Sequence, residues 1–284
     1  MLIPEHTPPQ TNDETLEIPK RLFSILQSCA SENKDGHRFP PTEVFNEGWM
    51  LRLVLDVLQT VDVPGHPLNF LDGATWYSEA RLSTPFHPTT KRDPLGEGFT
   101  KADAVIGDVD FRGNTKAGLR LPQGARQFIV VEAKMFSNLS SGTTNAPGYD
   151  QAARNVACMA ATIMESKIPL DALKSVGFFV VAPNLKMRQQ RKPNTNLEAC
   201  LEPDAIRSAV KKRIEGYARA SRDHDVLRLT QWEEQVVHLV DRLKQTDRLR
   251  VLDWKKEIIQ PIADLDDPTG EELFRFYDRC LEYA

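Results

Sequence analysis

Apolar residues recur at three- and four-residue spacing in several parts of the chain, which is the pattern of an amphipathic helix. The clearest case runs from Trp49 to Leu58 and predicts a helix over residues 43–61. Thr42 is its predicted N-cap, and Glu47 lies near its first turn. Further helices are predicted at residues 18–31, 149–167, 204–219, 230–244 and 270–283.

Strands are predicted where apolar residues run together or alternate. Residues 127–133 and 175–182 contain continuous apolar runs, typical of central strands that are buried on both faces. Residues 100–109 alternate instead, with Ala102, Ala104 and Ile106 on one side and Lys101, Asp103 and Val105 on the other. Further strands are predicted at residues 74–82 and 249–254, and loops at residues 112–124 and 138–148.

The order of these elements predicts an α/β fold with a mixed central β-sheet, flanked by helices and followed by extra C-terminal helices. Residues 1–15 are polar and rich in proline, so we expect them to be disordered. Residues 16–284 are predicted to form a single domain, whose last helices extend beyond the α/β core.

Hydrophobicity and cysteine usage predict a cytoplasmic protein without membrane contact. The chain has no run of about 18 apolar residues, and its first residues lack the apolar segment of a signal peptide. Its cysteines are far apart and form no CxxC pair, which favours reduced thiols over disulfides or a zinc site. They are Cys29, Cys158, Cys200 and Cys280.

The net charge of −4 excludes a uniformly basic surface for nucleic acid, but basic residues do cluster locally. One cluster, free of acidic residues, comprises Lys186, Arg188, Arg191 and Lys192. A second comprises Lys211, Lys212 and Arg213. Each cluster either binds phosphate groups or is an ordinary solvated surface, and the sequence leaves both interpretations open.

Motifs of several other enzyme classes are missing. There is no GxxxxGK[ST] phosphate loop and no HExxH zinc motif, and the six histidines are scattered. A P-loop ATPase, a histidine metal site and a Ser/Cys-His hydrolase are therefore unsupported. The tryptophans at positions 49, 76, 232 and 254 are predicted to be core residues rather than base-stacking platforms.

Three residues on two neighbouring predicted strands combine carboxylates with a cation. Glu132 and Lys134 are two apart at the end of a buried strand, so their side chains point to the same face. A carboxylate that emerges from such a strand is costly unless it is paired or coordinates a cation. Asp103 adds a second negative charge, which favours a divalent metal with oxygen ligands, such as Mg²⁺.

The order of Asp103 and then Glu132-Ala133-Lys134 resembles the D…(E/D)xK motif of the PD-(D/E)XK nuclease superfamily. Glu47 resembles the additional acidic residue of that superfamily. The segment that begins Tyr149-Asp150-Gln151 is similar to the glutamine-bearing helix of its RecB-like members. The resemblance covers roughly residues 43–183 and implies a restriction-endonuclease-like core.

The resemblance implies Mg²⁺-dependent hydrolysis of phosphodiester bonds, of DNA first of all, with Mn²⁺ as a substitute. Asp103 and Glu132 would bind the metal, and Glu47 would be an accessory ligand. Lys134 would orient the attacking water and stabilise developing charge. Gln151 would support the site. A bacterial or phage defence setting and a homodimer are also implied by analogy.

The sequence departs from the family pattern in places and leaves alternatives open. Alanine rather than proline precedes Asp103, the spacing to Glu132 is 29 residues, and Asp108 and Asp110 compete for the role of Asp103. Alone, an ExK pair is usually a surface ion pair, and Glu47 could simply complement a helix dipole. The alternatives are an inactive nuclease-fold protein that binds nucleic acid or a protein partner, and a nuclease for RNA or structured DNA.

Overall fold

The computed structural model describes residues 17–30, 39–86, 93, 96–97, 100–111, 118–143, 146–220, 226–265 and 268–284. The predicted disorder of residues 1–15 lies outside these ranges. The helices are α1 (Glu17–Ala30), α2 (Glu47–Thr60), α3 (Gln151–Ser166), α4 (Leu185–Arg191), α5 (Leu197–Cys200), α6 (Pro203–Ala220), α7 (Val226–Gln245), α8 (Gln260–Ala263) and α9 (Pro268–Tyr283). No helix in the described ranges combines the length and the apolar content that a membrane span requires.

The strands are β1 (Thr75–Leu82), β2 (Thr100–Gly107), β3 (Asp110–Phe111), β4 (Leu119–Arg120), β5 (Gln127–Ala133), β6 (Gly142–Thr143), β7 (Ala146–Pro147), β8 (Ser175–Ala182) and β9 (Leu249–Asp253). Five of them form one sheet in the order β1-β2-β5-β8-β9. β1, β2 and β5 are antiparallel neighbours, whereas β5, β8 and β9 run parallel. The predicted α/β class, with a mixed sheet flanked by helices, is confirmed.

Two apolar cores cover the two faces of this sheet. On one face, Phe128 and Val130 of β5 belong to a core that contains residues of α3, α6 and α7. On the other face, Ile129 and Val131 belong to a core with residues of α2, α9 and the π-helical turn Trp254–Ile259. Even-numbered side chains of β5 therefore face α3, and odd-numbered side chains face α2.

The start of α2 differs from the prediction. A short 3₁₀ turn occupies Pro41–Glu43, and the N-cap is Asn46 rather than Thr42. The Asn46 side chain accepts a hydrogen bond from the Trp49 amide at 3.0 Å, which satisfies one of the free N–H groups of the first turn. Trp49 is 39% exposed, so the prediction that it is a core residue is wrong.

The predicted alternation along β2 fails near Asp103. Ala104 and Ile106 contact the core on the α2 side, as their spacing requires, but Ala102 contacts the core on the α3 side. Beside this break, Glu79 of β1 has a φ of 57°, a left-handed conformation that is costly for a residue with a Cβ. The change in side-chain phase is thus local to the β1–β2 pair around Asp103.

Several short elements lie where no regular structure was predicted. The predicted loop 112–124 contains β4, which pairs with β3, and the predicted loop 138–148 contains the β6–β7 pair. α4 and α5 were also missed, because seven- and four-residue helices are too short to show helical periodicity. The first basic cluster therefore lies on and just after a helix.

Gly107 marks the closed end of the β2–β5 ladder. Its φ is 152°, and a Cβ there would lie 2.0 Å from the Gln127 carbonyl oxygen, so only glycine fits. Asp108 follows it and accepts hydrogen bonds from the Arg126 and Gln127 amides at 2.6 and 3.0 Å. The backbones of β2 and β5 are thus held close together at this end.

His66 fastens the loop after α2 to the π-helical turn. Its Nε2 hydrogen-bonds the Ile258 carbonyl at 3.2 Å, and its Nδ1 accepts from the Leu68 amide at 3.1 Å. This pairing requires the neutral ring, and burial lowers the pKa of His66 from 6.5 to about 4.

We expect the His66 contribution to stability to be complete above pH 6.5 and to fade as the pH falls towards 4. The unfolded chain binds a proton in this interval that the folded ring does not, so protonation favours unfolding by about 1 kcal/mol per pH unit. Urea unfolding at several pH values, compared with His66→Gln, measures this effect. The difference in free energy of unfolding between the native protein and His66→Gln should shrink as the pH falls from 6.5 to 4. A constant difference would contradict a neutral His66 ring in the folded state.

Candidate active site

β2 and β5 separate beyond the open end of their ladder, and the predicted site lies there. The last paired residues are Ala104 and Val131. Further on, the Ala133 amide donates to the Asp103 carboxylate at 2.8 Å instead of to a β2 carbonyl. We call the gap between Asp103 and residues 132–134 the fork. Asp103 is therefore fixed directly to the strand that bears the other predicted residues.

Glu132 lies inside the fork on the α3 side and is 1% exposed. The Lys134 ammonium donates to its Oε1 at 2.6 Å, and the Gln151 amide donates to the same oxygen. The Asn155 amide donates to Oε2 at 3.3 Å. Because Gln151 and Asn155 are one turn apart on α3, a single helix face orients the carboxyl group.

Burial dominates the electrostatics of the carboxyl pair. It raises the pKa of Glu132 to about 8, and the negative charge of Asp103 acts in the same direction against the ammonium of Lys134. Burial also raises the pKa of Asp103, opposed by the hydrogen bond from Ala133. Near neutral pH the pair therefore retains a proton, and a cation that binds here would displace it.

The structure brings together four of the five predicted site residues: Asp103, Glu132, Lys134 and Gln151. Glu47 stands apart, because α2 packs on the opposite face of the sheet from Glu132. Its charge acts on the Cys280 thiol of α9, whose pKa burial and Glu47 raise to about 12. Among the described residues, no three His, Cys, Asp or Glu side chains could together hold a metal. The accessory-ligand role of Glu47 stays a prediction.

The two competing acidic residues lie elsewhere. Asp108 caps backbone amides at the closed end of the ladder, opposite to the fork. Asp110 pairs with Arg120 across the β3–β4 hairpin. Neither contacts Glu132, whereas the Asp103 carboxyl interacts with it directly. Of these three acidic residues, Asp103 is the one placed to act with Glu132.

Asn155 is a site residue that the sequence did not single out. Its side chain is completely buried, and its Oδ1 has no hydrogen-bond partner among the described residues. A buried polar atom without a partner is costly and indicates a missing ligand or water. With the carboxylates of Asp103 and Glu132, it supplies oxygen donors of the kind that Mg²⁺ prefers, so the donor set fits this metal. The signal in the sequence was its four-residue spacing from Gln151.

Glu79 is a second neighbour that was missed. In the β1–β2 register it lies opposite Asp103, between the pairs Ser78–Ala104 and Ala80–Ala102. Its negative charge helps raise the pKa of Asp103, after burial. The half-exposed carboxylate also lies 3.5 Å from the ammonium of Lys101. Acidic charge thus approaches the fork from β1 as well as from β5.

The residues that flank Gln151 serve the fold. Asp150 is the N-cap of α3 and accepts from the Ala153 amide at 2.9 Å, so the helix begins two residues later than predicted. Tyr149 is 2% exposed and belongs to the α3-side core. Its side chain is therefore inaccessible to a substrate. Arg154 is half-buried, with an Nε that has no partner among the described residues.

Trp254 hydrogen-bonds the backbone of the fork from the core on the α2 side of the sheet. Its indole nitrogen donates to the Lys134 carbonyl at 3.0 Å, and its side chain is fully buried. Trp254→Phe should destabilise the protein by about 1–3 kcal/mol, because it leaves a buried carbonyl unpaired and a small void. Trp232→Phe is the matched control, since that buried indole donates to the Ala157 carbonyl at 3.0 Å on the other face.

Both tryptophan variants should lose similar stability in urea unfolding. Only Trp254→Phe should also weaken Mg²⁺ binding, measured by calorimetry, because it frees the backbone that carries Lys134. Equal metal affinity in the two variants would show that the Trp254 hydrogen bond does not position the fork.

Comparison of the chain with protein-family models, with curated proteins and with solved structures finds no match. The likeness to the PD-(D/E)XK nucleases consequently rests on the residues of the fork and on their order along the chain. What the site can do follows from the chemistry of its side chains.

Proposed function

We propose that the chain is a Mg²⁺-dependent nuclease that hydrolyses phosphodiester bonds of DNA. The observation that carries the proposal is the buried carboxyl of Glu132, beside Asp103 and in contact with Lys134, at the open end of two central strands. Two acidic groups share this space with one lysine, an arrangement that costs folding free energy and therefore indicates function. A core selected for stability alone would hold apolar residues here.

The element order from α2 to β8 supports a restriction-endonuclease-like core. One helix precedes three antiparallel strands, and α3 then leads into β8, which lies parallel to β5. Asp103 lies on β2, and Glu132 and Ala133 end the adjacent strand β5, with Lys134 directly after it, in the order that the family motif implies.

Asp103 and Glu132 would hold the metal, with Asn155 Oδ1 nearby as a further oxygen donor. When bound, Mg²⁺ supplies Lewis acidity that polarises a phosphate and lowers the pKa of water. The Ala133 amide keeps the Asp103 carboxylate in place. The amides of Gln151 and Asn155 orient Glu132, so that both carboxylates are preorganised.

Lys134 contributes the positive charge of the reaction. Its side chain is 12% exposed, and we expect its ammonium to reach a phosphate that binds at the mouth of the fork. When it leaves Glu132, the ammonium can donate to a phosphate oxygen and orient the attacking water. Negative charge that develops on the phosphate is then stabilised in a poorly hydrated site, where such an interaction is strong.

The direct test is incubation of the protein with linear, circular and single-stranded DNA, and with RNA, in Mg²⁺ and then in Mn²⁺. We expect cleavage of DNA that EDTA abolishes. Cleavage confined to RNA would correct the substrate. No cleavage of any of these substrates in either metal would contradict the proposed activity.

A second candidate is a catalytically inactive nuclease-fold protein that binds nucleic acid or a protein partner. The observation that favours it is the saturation of Glu132, since one ammonium and two amides already donate to its oxygens. Calorimetry with Mn²⁺ separates the two functions. The nuclease should bind Mn²⁺ and lose it in Asp103→Ala, whereas an inactive relative should bind none.

A further inference from the structure

The segment 183–196, which includes α4, is a basic stretch of an otherwise acidic chain. It has four basic residues and no acidic residue, in a protein with a net charge of −4. Arg188 is buried and is neutralised by Glu198. Lys186, Arg191 and Lys192 are exposed, and Arg191 also donates to the Leu281 and Ala284 oxygens, each at 3.4 Å. Three positive charges therefore face the solvent together.

This segment lies at the same edge of the sheet as the fork. β5 and β8 are parallel neighbours, with Ala133 opposite Val181, so they end side by side. The Lys134 amide extends this pairing by donating to the Val181 carbonyl at 2.8 Å, and α4 begins three residues after β8 ends. The sheet therefore places the start of α4 beside the strand that bears Glu132.

A cation–π contact shows that the segment stays close to the chain that leaves the fork. The Arg191 guanidinium lies 5.1 Å from the ring centroid of Phe136, two residues after Lys134. The segment therefore lies beside the chain that continues β5 beyond Lys134, with Phe136 in the core on the α2 side of the sheet and Met187 packed against that core.

We infer that the exposed residues Lys186, Gln189, Gln190, Arg191 and Lys192, here called the α4 surface, bind the backbone of duplex DNA beside the fork. The inference rests on the proposed nuclease function. From Glu132 to Phe136 the chain spans at most about 14 Å. That distance corresponds to about four base-pair steps of a duplex. A duplex with one phosphate in the fork would thus place neighbouring phosphates over the α4 surface.

The composition of the segment favours a duplex over a single strand. Single-stranded nucleic acid is usually held by aromatic side chains that stack on its bases. Segment 183–196 contains no aromatic residue and no histidine. Its lysines, arginine and glutamine amides are suited to phosphate oxygens, which position a duplex without regard to its sequence.

The second basic cluster is a natural control. Arg213 is buried against Glu97, which leaves Lys211 and Lys212 exposed on α6. α6 packs on α3 and α7 over one face of the sheet rather than following a strand that ends at the fork. Lys186→Glu/Lys192→Glu and Lys211→Glu/Lys212→Glu change the net charge equally, so they separate a local surface from a general charge effect.

The test measures the Kd of a fluorescently labelled DNA duplex by anisotropy, in EDTA and over a series of KCl concentrations. We expect the α4 double variant to raise Kd by about tenfold or more and to reduce the slope of log Kd against log salt by about 2. The α6 double variant should bind as the native protein does. Circular dichroism checks that both variants are folded.

Equal weakening in both double variants, no weakening in the α4 variant, or a preference for single-stranded DNA would overturn the α4 surface. Because EDTA prevents metal-dependent cleavage, this result is independent of activity. A native protein that binds duplex through α4 but never cleaves it would leave the surface in place and remove the nuclease. Cleavage by the native protein, together with unchanged duplex binding by the α4 double variant, would keep the nuclease and remove the α4 surface.

Discussion

Cleavage of DNA in Mg²⁺ should fall by about 100- to 1,000-fold when Lys134 is replaced by alanine. In the proposed reaction its ammonium stabilises charge on the phosphate in a poorly hydrated fork, and loss of one such donor costs this much. Asp103→Asn should have at least as large an effect, since it removes a proposed metal ligand but keeps the side-chain volume. Initial rates of plasmid cleavage at saturating Mg²⁺ measure both effects.

Lys211→Ala is the matched control for Lys134→Ala, because Lys211 is exposed on α6 and has no place in the fork. This variant should cleave at the native rate. Retention of metal-dependent cleavage by Lys134→Ala or Asp103→Asn would place the reaction at another site.

Glu132→Gln should abolish cleavage and yet stabilise the metal-free protein by about 1–3 kcal/mol at neutral pH. The native carboxyl is costly to bury, as its pKa of about 8 indicates. Glutamine keeps the volume and an acceptor oxygen for Lys134 and Gln151, but it carries no charge. The variant therefore removes a buried acid and keeps the acceptor that Lys134 and Gln151 use. Thermal and urea unfolding in EDTA measure the gain.

The sign of the pH dependence follows from the raised pKa. The unfolded carboxyl loses its proton near pH 4.5, whereas folded Glu132 keeps it up to about pH 8. Between these values the folded state binds more protons, so a rising pH destabilises the native protein relative to Glu132→Gln. The gap between the two proteins should grow by about 1 kcal/mol per pH unit over this interval. Above pH 8 it should be constant.

Glu97→Gln is the matched contrast. Glu97 is also buried, but it forms an ion pair with Arg213 at 2.8 Å and accepts from Thr84 at 3.1 Å. Its neutralisation should destabilise the protein, because it removes the carboxylate charge that faces a buried guanidinium. If Glu132→Gln destabilised the protein as much as Glu97→Gln does, Glu132 would be an ordinary structural ion-pair partner of Lys134.

The sequence pointed to the main side chains of the fork but not to the residues that surround them. Glu132 and Lys134 could be placed together because residues two apart on a strand share a face, and Gln151 could be added from the family resemblance. Asn155 was missed because a polar residue inside an alanine-rich helix shows its role only once the helix is packed against β5. Glu79 was missed because its left-handed backbone depends on the pairing with β2, which no local pattern encodes.

The helix boundaries show the same limit. Thr42 and Asn46 are both good caps, and only the 3₁₀ turn between them decides that α2 begins after Asn46. The position of Glu47 relative to Glu132 depends on which sheet face α2 covers, and hydrophobic spacing along α2 cannot supply that information. The location of α4 likewise follows from the parallel pairing of β5 and β8, a contact between residues far apart in sequence.

The close contact between β2 and β5 at Gly107 affects the distance between the two carboxyl groups at the other end of these strands. At Gly107 the two backbones are in contact, since a Cβ on this residue would lie 2.0 Å from the Gln127 carbonyl oxygen. The carboxyl groups of Asp103 and Glu132 lie at the open end of the ladder, four residues along each strand from the paired residues Gly107 and Phe128. A methyl group at position 107 would push β2 and β5 apart, and the hydrogen-bonded ladder between them would transmit that displacement to Asp103 and Glu132. The spacing of the reactive groups is thus set in part by a residue that no substrate touches.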